Sequence, residues 1–203
     1  MEVPLRLPAL ACFALLALPS GIRAQTFDFT FDQFRATLDG KIREDMADKV
    51  LADASTTRTC KKAKDVYTCT FNSAGFQAMV ADFKRADMIN GHFEQKLRLR
   101  AETESGKVSA IHVVGSRADP ANIFSFLGTV LNVVQIFDPA ATKVKPGDGT
   151  TSALVKELGL MRGDSAADIG KPVIAIKPYA LIKCLTMPSR VSLDVGCVFE
   201  PRS

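Results

Sequence analysis

In this 203-residue sequence the side chains suited to covalent, metal or acid–base chemistry are five Cys, two His and 22 Asp and Glu. Their spacing decides which chemistry is open. No Cys-x-x-Cys occurs, and neither His92 nor His112 has a Cys at metal-ligand spacing. A thiolate metal centre and a dithiol redox motif are therefore disfavoured. Cys12 lies in an N-terminal apolar run, which leaves Cys60, Cys69, Cys184 and Cys197. An even set in an exported chain reads as disulfides, and four Cys allow three connectivities. The local pairs Cys60–Cys69 and Cys184–Cys197 are favoured. The first brackets the polar turn Lys61 to Asp65, ahead of the alternating run Val66 to Phe71. The second brackets the turn signal Met187-Pro188-Ser189-Arg190 between two β-prone runs. Each bridge would staple a hairpin and remove roughly 2–3 kcal/mol of denatured-state entropy.

The remaining chemistry is sparse. There is no Gly-x-Ser-x-Gly elbow, His-Glu-x-x-His site, phosphate-binding P-loop or dinucleotide-binding Gly cluster. Gly163-Asp164-Ser165 resembles the nucleophile block of one esterase family. That resemblance implies a catalytic His toward the C-terminus, and no His follows position 112. Arg162-Gly163-Asp164 is an integrin-type tripeptide in a polar stretch that reads as surface loop. A pair of carboxylates could act as general acid and base, but 22 candidates give no way to choose a pair. No catalytic, cofactor-binding or metal-ligating residue is assigned. His112 falls on a strand face with Lys96, Arg98 and Arg100. That face reads as solvated sheet surface, with an anion site as the alternative.

The elements that must position these groups can be read in order. Thr30 and Gln33 form a capping box, Phe29 and Phe34 a hydrophobic staple. Apolar residues at Phe31, Phe34, Leu38, Ile42 and Met46 predict a helix from 31 to about 50, weakened by Gly40. A short hairpin holds Cys60 and Cys69. Ser73 reads as the cap of a second helix carrying Phe76, Met79, Val80 and Phe83. Residues 93–115 predict a hairpin turning at Glu104-Ser105-Gly106, with Leu97 opposite Val113 and Leu99 opposite Ile111. Asp119-Pro120 opens a nearly all-apolar helix over 120–137, about 27 Å long. Its polar residues Asn122, Ser125, Thr129 and Asn132 form one stripe. A core helix is the leading reading, with a partner or membrane-surface helix and a membrane span as alternatives. Residues 139–151 and 161–171 read as loops around a short helix that Gly159 helps to end. Two strands close the chain: Val173 to Leu185, with Pro178 marking an edge or bulge, and the alternation Val191, Leu193, Val195, Cys197, Phe199. Helices and hairpins in clumps predict an α+β fold, with antiparallel hairpins packed on amphipathic helices. The order helix, Cys, then Cys-x-Phe recurs at Cys60/Cys69 and Cys184/Cys197, a faint echo of duplication.

Location follows from the first 24 residues. Arg6 precedes an apolar run from Leu7 to Leu18, Pro19-Ser20-Gly21 breaks it, and Ala24 offers a small residue for cleavage. That is the layout of a secretory signal peptide, over 1–24, followed by a single domain over 25–203. The run is too short to span a bilayer. Cleavage leaves 24 basic and 21 acidic side chains, a net charge of +3. The one dense basic cluster, Arg58, Lys61, Lys62 and Lys64, has a single Tyr67 beside it, which excludes an extended nucleic-acid platform. The absence of an Asn-x-Ser/Thr acceptor favours a periplasmic or bacterial secreted protein. The expected role is binding without catalysis, the partner being another envelope protein or a small apolar ligand. The alternatives are a hydrolase with a carboxylate-based site and a membrane-surface protein using helix 120–137.

Overall fold

A computed structural model describes residues 25–87, 95–117, 119–140, 150–160, 169–188 and 193–202. The signal-peptide reading, His92, the loop carrying Arg162 to Ser165 and the turn at Ser189-Arg190 lie outside those residues. The elements are α1 (Phe31–Asp45), α2 (Lys49–Ser55), β1 (Thr57–Ala63), β2 (Val66–Phe71), α3 (Ser73–Arg85), β3 (Arg98–Glu104), β4 (Lys107–Ser116), α4 (Pro120–Phe137), α5 (Thr150–Glu157), β5 (Val173–Ile176), β6 (Ala180–Pro188) and β7 (Leu193–Pro201). All seven strands join one sheet in the order β1-β2-β3-β4-β7-β6-β5, and every pair is antiparallel. The fold is α+β, as the clumping of hairpins and helices predicts.

Helix ends follow side-chain chemistry. The Thr30 hydroxyl accepts the Gln33 N–H while the Gln33 amide oxygen accepts the Thr30 N–H, closing the capping box. Phe29 stacks on Phe34 with ring centroids 5.8 Å apart. Gly40 is accommodated, and the first helix instead stops at Asp45. The predicted run to residue 50 is therefore corrected. Met46 adopts an extended conformation, and Asp48 caps a new helix by accepting the N–H groups of Val50 and Leu51. The cap of α3 is Asn72, not Ser73, because the Asn72 amide oxygen accepts the Ala74 N–H. Asp119 and Pro120 open α4 as expected.

Strand register departs from expectation by two residues. Leu99 faces Val113 and Ala101 faces Ile111, while Arg100 faces His112. Ser105 and Gly106 both have positive φ, 52° and 82°, so the loop has two residues, and a bulge next to Glu102 shifts the pairing further. A shift of two leaves each side chain on its expected face. The run Val173 to Leu185 is also two strands rather than one. It folds back through Lys177-Pro178-Tyr179, where the Lys177 N–H donates to the Ala180 carbonyl at 2.9 Å. Three strands, not two, therefore close the chain.

One sheet face carries the core. Leu99, Ile111, Val113, Ile182, Val195 and Phe199 meet Phe34, Leu38 and Ile42 of α1, with Phe126, Val130 and Val133 of α4. Gly115 lets α4 approach β4, since a Cβ there would lie 2.8 Å from that of Phe126. A smaller cluster of Ala54, Phe76, Met79, Val80 and Ala121 fills the space between α2, α3 and the start of α4. Both disulfides join directly paired strand residues: Cys60–Cys69 across β1 and β2, Cys184–Cys197 across β6 and β7, with Cα separations of 4.0 and 4.1 Å. Phe71 and Phe199, two residues beyond a Cys of each bridge, are both buried. The first stapled hairpin lies at the edge of the sheet and the second inside it.

Candidate functional site

The break between α1 and α2 creates a groove that neither helix would form alone. Arg43 in the last turn of α1, Met46 in the break, Lys49, Val50, Ala52 and Asp53 of α2, and Gly75 and Ala78 of α3 line about 610 Å³. Its base depends on Gly75. A Cβ there would sit 2.8 Å from the Ala54 nitrogen and 3.1 Å from the Val50 carbonyl, so the α2 and α3 backbones all but touch. The Met46 side chain reaches back toward Gly128 of α4. Val50 is 43% exposed, a branched apolar side chain left open on the lip. The charges divide unequally. The Asp53 carboxylate accepts a hydrogen bond from the Asn72 amide. Arg43 and Lys49 have no carboxylate partner among the described residues. Sequence periodicity hid this site, because it depends on where the helix stops rather than on any motif.

The face of Arg98, Arg100 and His112 lies on the opposite, outward side of the sheet. Arg100 donates to the Glu102 carboxylate at 2.8 Å, and Lys183 to that of Glu200 at 2.6 Å. Lys96 precedes β3, and its backbone N–H donates to the Asn122 side chain at 3.0 Å. The face expected to be basic thus interleaves both signs. His112 Nε2 lies 3.2 Å from Glu102 without hydrogen-bond geometry and has no hydrogen-bond partner among the described residues. Burial pushes the His112 pKa down, and the pull of Glu102 upward offsets this only in part.

A second cleft of about 360 Å³ lies between α4, α5 and the β5–β6 turn, lined by Asp138, Leu154, Glu157, Lys177 and Tyr179. Tyr179 stacks on Phe137 at 5.3 Å. Burial, then the charges of Asp138 and Glu157, push its hydroxyl up to about 12. This cleft brings together two carboxylates, as a carboxylate-based hydrolase requires. Glu157, however, is engaged by Lys177 at 2.6 Å, and Asp138 accepts the Ala140 N–H. No cluster of three or more metal-ligating side chains occurs among the described residues.

The polar stripe of α4 faces inward. Asn122, Ser125, Thr129 and Asn132 are all buried, whereas Phe124 is 54% exposed and stacks on Phe83. Thr129 donates to the Ser125 carbonyl, and Asn122 binds Asp119 and the Lys96 N–H, which offsets the cost of burying Thr129 and Asn122. By length and composition α4 could cross a membrane, yet half of it is buried within the protein.

Comparison with protein-family models, with curated proteins and with solved structures finds no match for this chain.

Proposed function

We propose that the protein is an exported binding protein that holds a small ligand with an apolar body in the groove between α1, α2 and α3. The groove itself carries this reading. Its 610 Å³ falls within the ~300–1,000 Å³ of small-molecule sites. Met46, Val50, Ala52, Gly75 and Ala78 give it an apolar floor. Export is supported by the signal-like layout of residues 1–24 and by two disulfides, which persist in oxidising compartments.

A small ligand fits better than an added strand from an envelope protein. The edge strand β5 is four residues long and lies between Lys171-Pro172 and Lys177-Pro178. Short length, Lys and Pro all discourage edge pairing. At the other edge, β1 exposes Lys61 and Lys62. In the Asp138–Glu157 cleft, the ion pair between Glu157 and Lys177 occupies a carboxylate that acid–base chemistry would need free.

The test is titration with Nile red, a neutral apolar dye. Saturable binding is expected, with an affinity at least roughly tenfold lower in Ala78→Trp, which fills the groove from α3. Equal binding by the two proteins, or none by either, would overturn the reading.

A further inference from the structure

We infer that the groove selects a single-chain amphiphile with an anionic head: its alkyl chain lies on the apolar floor and its head sits between Arg43 and Lys49. This inference rests on the groove being a ligand site and adds the chemistry of the ligand. Apolar area alone would accept any greasy molecule. The charged groups at the groove narrow the choice. Arg43 and Lys49 arrive from the end of α1 and the start of α2, on either side of the Met46 break. Neither has a carboxylate partner among the described residues, while Asp53 is held by Asn72. A cationic head would therefore meet two cations and a single carboxylate. An anionic head would meet a guanidinium suited to paired hydrogen bonds with carboxylate or phosphate, and an ammonium beside it. The aliphatic stems of both side chains extend the apolar wall. Small residues, Ala52, Gly75 and Ala78, keep the slot open along α2 and α3. The head chemistry common to fatty carboxylates and alkyl phosphate monoesters fits this arrangement.

Calorimetric titration of the purified protein with dodecanoate, dodecyl phosphate, dodecanol and dodecyltrimethylammonium tests it, the ionic amphiphiles kept below their micelle concentrations and dodecanol below its solubility limit. Both anions are expected to bind at least roughly tenfold tighter than dodecanol, and the ammonium more weakly than dodecanol. The relative strength of the carboxylate and the phosphate distinguishes a fatty-acid source from a phosphate-ester one. Shortening the chain should weaken binding about fourfold per methylene. Arg43→Gln with Lys49→Gln should remove the preference for anions, so that dodecanoate and dodecyl phosphate bind that variant no more tightly than dodecanol does. The charge-matched control Arg58→Gln with Lys61→Gln on β1 should retain it. If dodecanol binds as well as the anions and both are lost in Ala78→Trp, the anionic head is wrong and the groove stands. If Ala78→Trp binds dodecanoate as the unaltered protein does, or nothing binds, the groove itself is wrong.

Discussion

His112 faces Arg100 across β3–β4 and Val198 on β7, with Glu102 and Glu200 as the nearby carboxylates. Burial lowers its pKa below the ordinary value of 6.5. In the unfolded chain it therefore binds a proton more readily than in the folded protein. Stability attributable to His112 is full at neutral pH, falls as pH drops through 6.5, and levels off below the folded-state pKa. His112→Gln removes that dependence. Urea unfolding at pH 7.5 and pH 5 should show the unaltered protein losing more stability on acidification than His112→Gln does. His92 is present in both proteins and cancels from the comparison. A larger loss in the variant would mean that the pull of Glu102 exceeds the burial cost. The functional expectation changes at the same scale. Arg98, Arg100 and His112 share a face as the alternation implied, but Glu102 pairs with Arg100 and Glu200 with Lys183 on it, and alternation carries no information about which neighbours pair.

At the scale of elements, the two stapled hairpins make the clearest prediction. Cys184 and Cys197 are directly paired and both buried. Cys184→Ser should leave Cys197 reactive toward a thiol probe in denaturant and lower stability by about 2–4 kcal/mol. A Cys197 that stays blocked would mean a different partner. These bridges were legible because each spans a single local turn between strand-like runs. The Thr30–Gln33 box and the Asp119-Pro120 start were legible for the same reason, as each is written within four residues. The departures have separate causes. The break at Met46 looks helical by periodicity, yet α2 turns away to meet α3 at Gly75, 29 residues beyond Met46. The β3–β4 register depends on a bulge that face alternation cannot reveal, because a shift of two preserves every face. The β5–β6 turn at Pro178 reads in the sequence as an edge or a bulge, since one Pro marks an interruption but not the direction of the chain after it. The groove inherits this difficulty, being made from three helices whose contact no spacing encodes.

At the scale of the whole molecule, the disulfides tie the sheet to the redox state of its surroundings. One seven-stranded sheet carries a cross-strand disulfide toward each end, and a reducing environment would open both. Export and stapling therefore stand or fall together in one measurement: intact mass of the protein recovered from the producing cell's envelope fraction, with and without reduction. The expected mass is that of Gln25–Ser203 less four hydrogens, rising by four on reduction. A tryptic map then separates the connectivities. Lys61, Lys62 and Lys64 lie between Cys60 and Cys69, and Arg190 lies between Cys184 and Cys197. Trypsin thus cuts inside each loop, and local bridges should yield two linked peptide pairs that come apart only on reduction. A pair joining a peptide containing Cys60 or Cys69 to one containing Cys184 or Cys197 would contradict the cross-strand pairing and with it the register of the sheet. Five free thiols, Cys12 among them, with residues 1–24 retained would place the folded chain in a reducing setting, where neither hairpin is stapled and the groove would have to hold its shape on the packing of α1, α2 and α3 alone.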